Sequence, residues 1–188
     1  CLKIDFNTIL DYFIERPWNK LIVFKPDDIL NLYSNLGLFD VNIFYKLYEP
    51  LLKLCNIKTD ITLKELYEYS NIKLNIYVTK FKDLSYTLFN YETEPDLKVI
   101  DAIFMSSTLP VLFKPMKYKN ECYIDGGFIC DYPFNNCLQD HKENISEILG
   151  VKVVLYENED NIDNHNIFSF YAKLFYKFVV NKRIENEK

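Results

Sequence analysis

The stretch Tyr123-Ile124-Asp125-Gly126-Gly127-Phe128-Ile129-Cys130-Asp131-Tyr132-Pro133 decides how the rest of this chain is read. Residues 122–124 are strand-like, and the strand runs into a carboxylate followed by two glycines. Consecutive glycines permit a sharp turn, with positive φ within reach, and leave room for another group against the backbone. Taken alone, Asp125-Gly126 is a common hairpin-turn dipeptide. Pro133 stands six residues after Gly127, and upstream lies Ala102-Ile103-Phe104-Met105-Ser106-Ser107-Thr108-Leu109-Pro110-Val111-Leu112-Phe113-Lys114-Pro115. Ligand sites in open α/β sheets collect at the C-terminal ends of strands, so Asp125 is expected at such an end.

Outward from this segment the hydrophobic period alternates between helix and strand. Phe6, Ile9, Leu10, Phe13 and Ile14 keep helical spacing, and Pro17 closes that helix. A second helix is expected from Pro26, with Ile29, Leu32, Tyr33 and Leu36 on one face and Gly37 as its stop. A third starts at Asp40, carries Phe44, Leu47, Tyr48, Leu51 and Leu52, and should kink at Pro50. Stripes of this kind usually face a core. Thr62 and Glu65 have the spacing of a capping box opening a short helix. Residues 74–78 and 84–90 then alternate as strands do, residues 96–105 are helical again, 151–156 is a further strand candidate, and 167–180 is an aromatic amphipathic helix. Strands interleaved with helices predict an α/β layered fold with a mainly parallel sheet. No internal boundary is read, so residues 1–188 are taken as one domain.

Composition narrows the chemistry. The chain has 188 residues, of which 49% are hydrophobic, ample for a buried core. Its net charge of −5, with cations and anions interspersed, argues against nucleic acid as a partner. Five cysteines without a C-x-x-C pair give neither a disulfide framework nor a zinc knuckle, and each is expected as a small buried residue in a reducing, intracellular setting. No apolar run approaches the ~20 residues that cross a bilayer, and no signal peptide is visible. With four glycines, Gly37, Gly126, Gly127 and Gly150, the sequence holds no phosphate-binding glycine loop and no G-x-S-x-G. His141 and His165 lack neighbours at metal-ligand spacing, so no metal and no cofactor is expected.

The two quoted segments together resemble the patatin-like phospholipase family. That family shows a helix ending in Ser-Ser and then proline, an aromatic-x-proline step matched by Phe113-Lys114-Pro115, and a strand delivering Asp-Gly-Gly with a proline six residues on. Residues 2–6 are similar to the helix shortly after the family's nucleophile, and residues 74–78 to its strand before a polar hairpin. The resemblance spans about residues 2–137, leaving 138–188 as a C-terminal strand and helix.

The resemblance implies a three-layer fold with a mainly parallel central sheet flanked by helices. It also implies hydrolysis of lipid acyl esters by a Ser-Asp dyad without histidine, in which Asp125 is the catalytic base and Gly126 and Gly127 shape its turn. The family's oxyanion loop and serine elbow lie upstream of Leu2, so the chain is expected to be part of a longer enzyme, inactive alone. Implied partners are a lipid or phospholipid ester and a peripheral membrane contact, in a cytoplasmic or membrane-peripheral location. Ser106 and Ser107 have no flanking glycines and are read as helix-closing residues. Asp131 departs from the family's usual asparagine and brings a second carboxylate near the first. The rival reading is an inactive relative that binds lipid or a protein.

Overall fold

The computed structural model describes residues 2–23, 32, 34, 36–130, 132–140 and 145–151. The chain forms two compact units, Cys1–Gly126 and Gly127–Lys188. In the first, α1 (Phe6–Glu15) starts where the Asp5 carboxylate accepts from the Thr8 amide at 3.0 Å and ends before Pro17. A short helix α2 (Trp18–Leu21) follows. The stripe on α1 does not face a core: Phe6 is 74% and Ile14 68% exposed, and the helix has no buried residue. The expected second helix falls largely outside the described residues. Its predicted stop, Gly37, instead opens strand β1 (Gly37–Phe39), because only a residue without Cβ fits there: a Cβ would lie 2.3 Å from the Lys114 amide nitrogen.

Helix α3 (Asn42–Leu54) begins just past Asp40, whose carboxylate accepts from the Asn42 amide at 2.9 Å. It continues through Pro50, which lacks the N–H that would reach the Lys46 carbonyl. That carbonyl accepts from the Arg16 guanidinium at 2.7 Å, and the next one, of Leu47, accepts from the Tyr12 hydroxyl. The proline therefore frees one of the two acceptors on which this segment is tied, the Lys46 carbonyl bonded by Arg16. The helix ends in a Schellman motif with asparagine at the left-handed position. Asn56 has φ 55°, its amide bonds Lys53 and the Ile57 amide bonds Leu52. Helix α4 (Leu63–Ser70) has the expected capping box: the Thr62 hydroxyl accepts from the Glu65 amide at 3.2 Å and the Glu65 carboxylate from the Thr62 amide at 2.9 Å.

The strands β2 (Ile76–Lys80) and β3 (Tyr86–Phe89) form the hairpin expected from the alternation, each shifted or trimmed by about two residues. Helix α5 (Val99–Ser106) precedes β4 (Val111–Phe113), β5 (Met116–Tyr118) and β6 (Glu121–Asp125). Two sheets result: a parallel pair β1-β4 and a four-stranded sheet in the order β3-β2-β6-β5. The α/β class holds, with parallel pairing among the described residues confined to β1-β4. In the larger sheet the β2-β3 and β5-β6 links are too short for crossovers, so those pairs are antiparallel, and the sequence-distant pair β2-β6 is antiparallel as well. The link from β5 to β6 is the two residues Lys119-Asn120, both at positive φ, as a twist-matched hairpin turn requires.

The core of this unit joins α3, α5 and the sheets. Phe44, Phe104 and Phe113 form an edge-to-face trio with centroids 5.2–5.8 Å apart, and Phe89 packs on Tyr123 at 5.1 Å. Phe104 and Met105 are fully buried, so α5 is held rigidly against the sheet that ends at Asp125. In the second unit the described part comprises α6 (Phe134–Asp140), a 3-10 turn Ile145–Glu147 and the stacked rings of Tyr132 and Phe134. The helix expected at 167–180, and all but the first residue of the strand expected at 151–156, lie outside the described residues.

Candidate functional site

Asp125 is the last residue of β6, at the C-terminal end of the strand, as expected. It is half-buried and paired in register with Val78 of β2, which is fully buried. Its amide donates to the Thr108 carbonyl at 3.0 Å. Thr108 is itself fully buried, with its hydroxyl donating to the Phe104 carbonyl at 2.7 Å. The backbone carrying the carboxylate is thus fixed by a ladder on one side and by the turn after α5 on the other.

Gly126 opens a 3-10 turn (Gly126–Phe128), and Gly127 follows within it. The need for glycine at 126 is steric, not conformational. Among the described residues no glycine has positive φ, whereas a Cβ on Gly126 would lie 2.1 Å from the Tyr77 carbonyl oxygen. The space that the two glycines were expected to leave beside the backbone is, at Gly126, filled by β2. The Gly126 carbonyl is approached by the buried Thr79 hydroxyl at 3.5 Å.

Ser106 is the last residue of α5 and Ser107 its C-cap, so both close the helix as expected. The Ser106 hydroxyl donates to the Tyr77 carbonyl at 2.7 Å, a contact across 29 residues that no local pattern announces. Asp131, His141 and His165 lie outside the described residues. Cys55, Cys122 and Cys137 are free thiols; they and Cys130 are half-buried rather than buried, and burial raises the Cys122 thiol above its ordinary value. Two surface cavities of about 520 Å³ each are lined by α1 and α2 and by the start of α3 with β1, respectively. Neither lining includes Asp125. Among the described residues no cluster of three or more His, Cys, Asp or Glu could hold a metal, and no helix is long and apolar enough to cross a membrane.

A carboxylate with a fixed backbone at the mouth of a strand can accept a proton from a neighbouring hydroxyl, and no imidazole is needed for that step. The chain is 31% identical over 140 residues to the probable lipid hydrolase 463L of Invertebrate iridescent virus 6, a match covering 71% of this chain and 47% of the relative. It therefore spans about half the length of that relative. No solved structure gives a significant match. The model of the patatin-like phospholipases matches residues 1–138, which include α1, every strand described and Asp125 with both glycines, and the chain belongs to the patatin-like phospholipase family.

Proposed function

We propose that the protein to which these residues belong hydrolyses lipid acyl esters through a serine–aspartate dyad, with Asp125 as the base and a serine outside these 188 residues as the nucleophile. The observation that carries the reading is the placement of Asp125: last in its strand, half-buried, its amide pinned by Thr108, in a chain of this family. The Asp125 carboxylate accepts the serine proton as the oxygen attacks the ester carbonyl. The resulting tetrahedral intermediate collapses to an acyl-enzyme, and the alcohol leaves with that proton. Water, deprotonated by the same carboxylate, then attacks the acyl-enzyme, and the fatty acid is released as that proton passes to the serine oxygen. An aspartate free in water, with a pKa near 3.9, is a weak base, so the proposed step requires a site that strengthens it.

Expression of the complete coding region, beside the 188 residues alone, tests this. The complete protein is expected to hydrolyse phospholipid or short-chain acyl esters and to be labelled by a serine-reactive fluorophosphonate. Asp125→Asn should lower its rate about a thousandfold or more with the fold intact, by analogy with other nucleophile–base units. The 188 residues alone are expected to show no turnover. An inactive complete protein that binds vesicles or a protein would select the rival, non-catalytic reading, and full activity in Asp125→Asn would dismiss Asp125 as the base.

A further inference from the structure

We infer that Ser106 is a positioning residue for Asp125, acting through the main-chain carbonyl of Tyr77; the inference rests on Asp125 being the base. In the β2-β6 ladder the last pair is Val78 with Asp125, so the next pair in register would be Tyr77 with Gly126. At that point β6 gives way to the 3-10 turn, and the Tyr77 carbonyl stands just past the end of the β2-β6 ladder. Two groups converge on it. The Ser106 hydroxyl donates to it at 2.7 Å, and the Gly126 backbone lies so near that a Cβ would come within 2.1 Å.

This one oxygen is therefore both the acceptor that ties the end of α5 to β2 and the surface against which the residue after Asp125 rests. From the other side Thr108, two residues after Ser106, accepts the Asp125 amide at 3.0 Å. The Ser106–Thr108 turn thus holds Asp125 twice, directly through a carbonyl and indirectly through the Tyr77 peptide. The Tyr77 peptide is itself held in the β2-β3 ladder, so loss of the Ser106 hydroxyl removes the tie between the end of α5 and this carbonyl and loosens the seat of Gly126 against it. Displacing a reacting group by a fraction of an ångström lowers turnover far more than it lowers stability, because proton transfer needs a fixed geometry. Ser106 is not itself a nucleophile: its proton is committed to a main-chain oxygen and its neighbours are Met105 and Ser107.

The test uses the complete active protein. Ser106→Ala is expected to lower kcat about tenfold, with KM and the melting temperature close to the parent values. Ser106→Thr keeps the hydroxyl and should restore kcat to within about twofold, while Ser106→Cys, of similar volume but a weak donor, should behave like alanine. Should the alanine variant fail to fold, the cysteine and threonine pair gives the same contrast. Unchanged kcat in the alanine or cysteine variant overturns the inference, as does a loss that tracks a falling melting temperature and is not rescued by threonine. Asp125→Asn is measured in parallel. If it stays active, the base has been misassigned and the inference falls with it; if it is inactive while the alanine variant turns over normally, only the role of Ser106 is wrong.

Discussion

Gly126 is the residue at which sequence and structure give different reasons for the same choice. The doubled glycine reads as a flexible turn, yet at 126 the backbone angle is ordinary and the constraint is the Tyr77 carbonyl of a strand nearly fifty positions away. Periodicity and motif spacing carry no information about such an approach. Gly126→Ala is expected to destabilise the chain by about 2 kcal/mol, since backbone on backbone has no way to yield, and a urea unfolding midpoint equal to the parent's would refute this. Tyr45 supplies a pH dependence. Burial first, and then its 2.9 Å hydrogen bond to the Asp101 carboxylate, raise its phenol well above the ordinary value. The folded state therefore favours the neutral phenol. The stability this gives is complete below about pH 10, the unfolded value, and is lost as pH climbs from there toward the raised folded value. Denaturation midpoints should be level up to that pH and decline above it, with a shallower decline in Tyr45→Phe. Parallel profiles for the two proteins would show that this phenol is not the source.

At the scale of elements, the long periodic helices, the capping box at Thr62 and the hairpin of β2 and β3 were legible because local pattern alone specifies them. The three-residue strands β1, β4 and β5 were not, since so short a run has no period to detect. Pro50 was visible as an interruption of α3, but its consequence lies 30 residues away from the carbonyl it frees, in Arg16. A double-mutant cycle measures that consequence. Arg16→Ala should cost about 1 kcal/mol in the parent, where the Lys46 carbonyl loses its donor, and close to nothing in a Pro50→Ala background, where an alanine amide takes the guanidinium's place. Equal costs in the two backgrounds would mean that the arginine contact contributes independently of the proline.

For the whole molecule, the family and the strand-end position of Asp125 were legible, because spaced motifs survive where packing detail does not. The exposed stripe of α1 was not, since periodicity shows that a face is apolar without saying what covers it. Phe6, Ile14, Leu36 and Val111 are each more than 60% exposed, so the 188 residues alone are expected to associate at micromolar concentration. A monodisperse monomer in light scattering would count against that. The bends of the chain carry one more consequence. Asn56, Asn71 and Asn120 occupy left-handed positions that proteins commonly give to glycine, while the glycines at 37 and 126 serve close contacts at ordinary angles. Glycine codons begin with two guanines, whereas asparagine codons begin with two adenines. A gene under mutational pressure toward adenine and thymine can therefore surrender its turn glycines to asparagine and still fold, but cannot surrender those two. The glycines that remain in such a gene mark crowded backbone, and in relatives of equally biased base composition they are the positions at which to look for the site.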